Sequence, residues 1–136
     1  MEALFASLKV APRNLDLYAE LARRLEAQGD PTGAERALTS MVEVEPNEAE
    51  GHRRLAKVRA EQKRDAAAVV QWRQVVRVRS LEPDGWLSLA SAQIDAGQLD
   101  EAAKTLQHVL STKWEARFQD VHRKARALQD RLRRAG

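Results

Sequence analysis

The sequence predicts an all-α protein, an α–α superhelix of antiparallel helix pairs with a C-terminal capping helix. Residue columns recur at a spacing of 34, namely Leu21/Leu55/Leu89, Ala22/Ala56/Ala90 and Ala34/Ala68/Ala102. A fixed period of this size marks stacked units that cover one another, in place of a single globular core. Within each period, apolar residues follow helical spacing and stop at glycine, proline or asparagine. Weaker columns keep the same phase: Tyr18/His52/Trp86, Leu38/Trp72/Leu106, Met41/Val75/Val109 and Val42/Val76/Leu110. The alanine columns imply close helix crossings, where a larger side chain overpacks the contact at roughly 1–3 kcal/mol.

The elements follow in chain order. Leu4, Leu8 and Val10, followed by Pro12, fit the second helix of a preceding unit whose first helix is missing. Residues 1–14 are therefore a half-unit. It fits a chain cut from a longer protein, an orphan helix that pairs with another copy, or an N-terminal cap. Residues 15–48 form the first unit. Leu17, Leu21 and Leu25 make one helical face, broken by Gln28-Gly29-Asp30-Pro31. Gly29 suits a left-handed helix end, Asp30 an N-cap and Pro31 a first turn. Ala34, Leu38, Met41 and Val42 form the second face, ended by Glu45-Pro46-Asn47. Asn47 with Glu50 reads as a reciprocal capping pair.

Residues 49–82 form the second unit, with Lys63 at the turn position, His52 in the aromatic column and Ser80 where unit one has Pro46. Pro83 comes three residues later, so an altered turn and a longer second helix are expected. A non-glycine residue at a left-handed turn costs about 1 kcal/mol. Residues 83–116 form the third unit, turning at Ala96-Gly97-Gln98. Trp114, Phe118, Val121, Ala125, Leu128 and Leu132 then follow spacings of three and four, which predicts a capping helix over 114–134.

These residues resemble the tetratricopeptide repeat family. The first unit carries Tyr18, Leu21-Ala22, Gly29, Ala34, Met41 and Pro46 at the family's positions, and the third carries Trp86, Leu89-Ala90, Gly97, Ala102 and Val109. The resemblance implies a single repeat array over residues 1–136. It also implies a concave groove lined by the first helix of each unit. Arg23, Arg53, Arg54, Lys57, Leu87 and Ser91 are the candidate groove contacts. Some family members grip the carboxylate end of a chaperone tail with lysine, arginine and asparagine. Here Arg23 and Lys57 stand in place of the asparagines, Ser88 in place of an arginine and Ala19 in place of a lysine, so that clamp is not implied.

Composition narrows the function. The chain has no cysteine, which removes thiolate chemistry, disulfides and cysteine metal sites. His52, His108 and His122 lie on different units and form no helical metal pair. No phosphate-binding glycine loop or nucleophile elbow occurs. The expected protein is therefore no enzyme and needs no cofactor or metal. No apolar run approaches a membrane span, and a cytoplasmic protein that meets no membrane is expected.

The net charge of +3 is unevenly spread. Arg53–Arg79 holds nine Lys/Arg against Glu61 and Asp65, and Lys113 onward holds eight against Glu115, Asp120 and Asp130. Basic blocks of this kind suit solvated helix faces or an acidic partner. We read the chain as a non-catalytic protein-interaction module or scaffold, part of a larger protein, that binds a peptide or neighbouring domain in the groove, an acidic partner being one option. A nucleic-acid-binding array is the alternative. It needs exposed aromatics beside basic residues, whereas the aromatics here fall on packing faces. A spacer that self-associates through the N-terminal half-unit is the other alternative.

Overall fold

The computed structural model describes residues 15–136, and among them every regular element is helical. The half-unit helix expected over residues 1–14, and self-association through it, lie outside the described residues. Seven helices follow in order: α1 Leu15–Ala27, α2 Pro31–Val44, α3 Ala49–Glu61, α4 Asp65–Val78, α5 Pro83–Asp95, α6 Leu99–Ser111 and α7 Val121–Ala135. The first helices begin at Leu15, Ala49 and Pro83, and the second at Pro31, Asp65 and Leu99, so both sets keep the 34-residue period.

All three internal turns share one construction. The backbone N–H groups of Asp30, Arg64 and Gln98 each donate to the carbonyl five residues back, at 2.8 Å. Those of Gly29, Lys63 and Gly97 each donate to the carbonyl three residues back, at 3.0 Å. This is the left-handed helix stop, with φ of 75°, 62° and 74° at Gly29, Lys63 and Gly97. The expected alteration at Lys63 does not occur. Lysine is forced into the glycine conformation by two backbone hydrogen bonds and the packing of α3 on α4. Nor is α4 longer, since α2 and α4 both span 14 residues.

Capping is partly local. Asp30 caps α2 as expected, its carboxylate accepting from the Gly33 N–H at 2.9 Å. The Asn47–Glu50 pair does not form. Glu48 is the N-cap of α3 and makes no side-chain cap bond. Asn47 accepts from Arg77 of α4 at 3.2 Å instead, and Arg77 also donates to the Pro46 carbonyl at 3.1 Å. Glu50 is taken by two arginines of its own helix.

The core is segmented, and the next helix closes each segment. Tyr18, Leu21, Leu25, Leu38 and Met41 pack with Leu55 and Val58 of α3. Val69, Trp72, Val75 and Val76 pack with Leu89 and Ala92 of α5. Ala90, Leu106 and Val109 pack with Val121 and Ala125 of α7. Ala34, Ala68 and Ala102 are essentially inaccessible, as close crossings require. Glycine serves the same purpose between units. A Cβ on Gly51 would stand 3.1 Å from Val42, and one on Gly85 would stand 3.0 Å from Val75.

The first junction is also polar. Glu35 of α2 accepts from Arg64 at 2.7 Å, Gln62 at 3.2 Å and Arg59 at 3.4 Å. Burial pushes the Glu35 carboxyl up, but these hydrogen bonds and the Arg64 charge outweigh it and hold it below the usual carboxylate range.

The capping helix departs from its expected bounds of 114–134. It begins at Val121, and residues 112–120 form a nine-residue connection where the earlier units use four, 45–48 and 79–82. The Trp114 indole N–H donates to the Val109 carbonyl at 2.9 Å, folding the chain back on the end of α6. Among the described residues no helix is long and apolar enough to cross a membrane.

Candidate functional site

The first helices α1, α3 and α5 carry all six candidate residues. Helical spacing puts Arg53 and Lys57 on one side of α3, and Arg54 beside them. The buried Leu55, Ala56 and Val58 hold that helix against its neighbours, so the polar face stays outward. Arg53 and Arg54 are half-buried, while Arg23 and Lys57 are exposed.

The arginines are already engaged. Glu50 accepts from Arg54 at 2.7 Å and from Arg53 at 2.9 Å. Burial raises the Glu50 pKa, but Arg54 and Arg53 together hold it below the ordinary range. On α1, Glu20 pairs with Arg23 and, at 3.1 Å, with Arg24. Hydrogen bonds from Arg23 and Arg24 keep that carboxyl depressed as well. Both acids are therefore ionised at neutral pH and offset the cations beside them. Lys57 has no ion-pair partner among the described residues.

Leu87 and Ser91 are not part of this open face. Leu87 is buried in the core segment that Val121 and Ala125 of α7 close. Arg131 of α7 donates to the Ser91 hydroxyl at 2.9 Å and pairs with Asp95 of α5. The repeat phase equates Leu87 with Arg53 and Ser91 with Lys57, yet α7 covers the later pair. Helix α7 packs substantially on α5, whereas α3 and α5 barely touch. The long 112–120 connection gives α7 the freedom to lie across α5.

The pairing of Glu20 escaped sequence reasoning. Glu20 and Glu50 precede their arginines by three and four residues, a helical pairing signal that is legible in the chain. The aromatics are also less uniformly packed than expected. Trp86, Trp114 and Phe118 are only half-buried. His52 is buried in its aromatic column, its Nε2 donating to the Pro46 carbonyl at 2.8 Å.

Residues 15–58 match the tetratricopeptide repeat family. No curated protein matches the chain. Among solved structures, the crystal structure of MamA aligns with a TM-score of 0.69 at 18% identity, covering 98% of this chain and 81% of that one. The TPR2B domain of yeast Sti1, in its complex with pHsp70, aligns with a TM-score of 0.73 at 17% identity, covering 90% and 98%. The first TPR of Spaghetti (RPAP3), bound to the HSP90 peptide SRMEEVD, aligns with a TM-score of 0.65 at 18% identity, covering 87% and 92%. At these identities the likeness is one of fold. Residues 15–58 thus match a tetratricopeptide repeat, and the described residues share the helical solenoid fold of these structures.

Proposed function

We propose that the chain is a non-catalytic protein-interaction module whose face on α1 and α3 takes an acidic peptide segment of a partner. The observation that carries this is the strip Arg23, Arg53, Arg54 and Lys57 on the outward side of two successive first helices. The two peptide-bound structures of the same fold support a peptide as the ligand class. Arginine's planar fork suits carboxylates, and Lys57 adds a less directional charge. The repeat boundaries 15–48, 49–82 and 83–116, and a cytoplasmic setting, belong to the same reading.

The test is binding of an acidic peptide library to the wild type and to an Arg53→Glu/Lys57→Glu variant at two salt concentrations. The variant loses at least tenfold in affinity for the best wild-type ligands, about 1.4 kcal/mol, and the wild type weakens with salt. Equal binding by the variant rules out the strip as the site.

A further inference from the structure

A second feature lies at the edge where the connections between units run. Trp86 of α5 and His108 of α6 meet at a tilt of 44° with ring centres 4.2 Å apart, and Trp114 meets His108 edge-on at 6.2 Å. These rings, with Leu81 and Lys113, line a cavity of about 360 Å³. A neighbouring cavity of about 440 Å³ shares Lys113, Trp114 and Glu115 and ends at Phe118 and His122. Neither cavity includes a residue of the α1–α3 strip.

The edge is built to offer apolar contact. Both indole N–H groups are spent on backbone, Trp86 on the Ser80 carbonyl at 2.9 Å and Trp114 on Val109. What remains outward is ring surface. Leu81, on the rim, is 79% exposed, more than any other large hydrophobic residue among those described. Lys113 lines both cavities. The acids Glu115, Asp120 and Asp130 each pair with one arginine, Arg117, Arg123 and Arg133. Lys113 has no carboxylate partner among the described residues.

We propose that this edge is a second docking site, separate from the groove, for a protein segment with one bulky aliphatic side chain flanked by carboxylates. The side chain enters the Leu81–Trp86–His108–Trp114 cavity, and the flanking carboxylates face Lys113. A peptide fits better than a nucleic-acid strand. The exposed aliphatic rim at Leu81 gives a phosphate chain nothing to bind, whereas an apolar side chain is covered there.

The probe is a short peptide of acidic residues flanking a single leucine, followed by tryptophan emission and by amide NMR shifts. The expected shifts fall on Leu81, Trp86, His108 and Trp114. Replacing the peptide's leucine by alanine weakens binding about tenfold, through lost apolar burial. Leu81→Glu and Lys113→Glu, both at exposed positions, each weaken it at least tenfold with an unchanged melting temperature. Arg53→Glu/Lys57→Glu leaves it intact, so this site and the groove fail or succeed separately. Shifts confined to α1 and α3, equal binding of the alanine peptide, or tighter binding of an oligouridylate at the same edge would each overturn the proposal.

Discussion

The two ends of the described array use the same repeat differently. On α3, Arg53 and Lys57 remain at the surface, tied only to Glu50 of their own helix or to nothing. On α5, one period later, Leu87 is buried and Ser91 is bonded to Arg131. The backbones of the two helices are equivalent, so the difference lies in what comes next. After α3 comes α5, which seals the α4 side and scarcely reaches α3. After α5 comes α7, released by a longer connection, which lies on α5 as well as α6. A repeat position thus gives a residue its direction, and the following helix decides whether solvent reaches it.

The junctions differ in kind as well. The α2–α3 junction adds the Glu35 network to its apolar contacts, while the α6–α7 junction rests on Leu106, Val109, Val121 and Ala125. The largest expected effect comes from removing residues 121–136. Each buried leucine or valine side chain contributes about 1.5–3 kcal/mol. Loss of Val121 and exposure of Leu87, Leu106 and Val109 therefore cost roughly 4 kcal/mol or more. The truncated chain should melt far lower or aggregate, with the α5 face now open to a hydrophobic dye. An unchanged melting temperature would mean that α7 does not close the third segment, and the contrast between the two ends would disappear.

Lys63→Gly has the next largest expected effect, in the opposite direction. Lys63 adopts the same positive φ as Gly29 and Gly97. Relief of the left-handed strain stabilises the middle unit by about 1 kcal/mol, less the extra flexibility glycine gives the unfolded chain. Denaturant midpoints of the wild type and variant measure it. A drop in midpoint would show that the Lys63 side chain contributes more than its backbone costs.

Acid should act weakly and selectively. The folded Glu35 pKa lies below its unfolded value of about 4.3, so the unfolded state binds the proton more readily. Its contribution is present above that pH and is lost as pH falls through the lower folded value. Below about pH 4.3, hydrogen exchange relative to its intrinsic rate should therefore quicken at the α2–α3 junction before the α6–α7 junction. Glu35→Gln should remove that difference. Equal loosening of both junctions in the wild type would contradict the polar character assigned to the first.

The sequence by itself determined the helix pairs, their 34-residue phase, the three turn positions and the Asp30 cap. These features rest on short-range chemistry: helical spacing of apolar residues, a left-handed turn closed within six residues, and a carboxylate reaching an N–H three residues on. Gly51 and Gly85 stand one period apart and were equally legible, but a missing side chain leaves no apolar signal to follow. The start of α7 was not legible, because Trp114 and Phe118 keep a helical spacing although Trp114 bonds back to α6. Only the tertiary structure decided that Leu87 and Ser91 lie under α7, that Asn47 serves Arg77, and that Trp86, His108 and Trp114 meet around one cavity. Each of these depends on how a later helix crosses an earlier one. That crossing is set by summed packing over many residues and by the length of the connection, and neither is written at any one position of the chain.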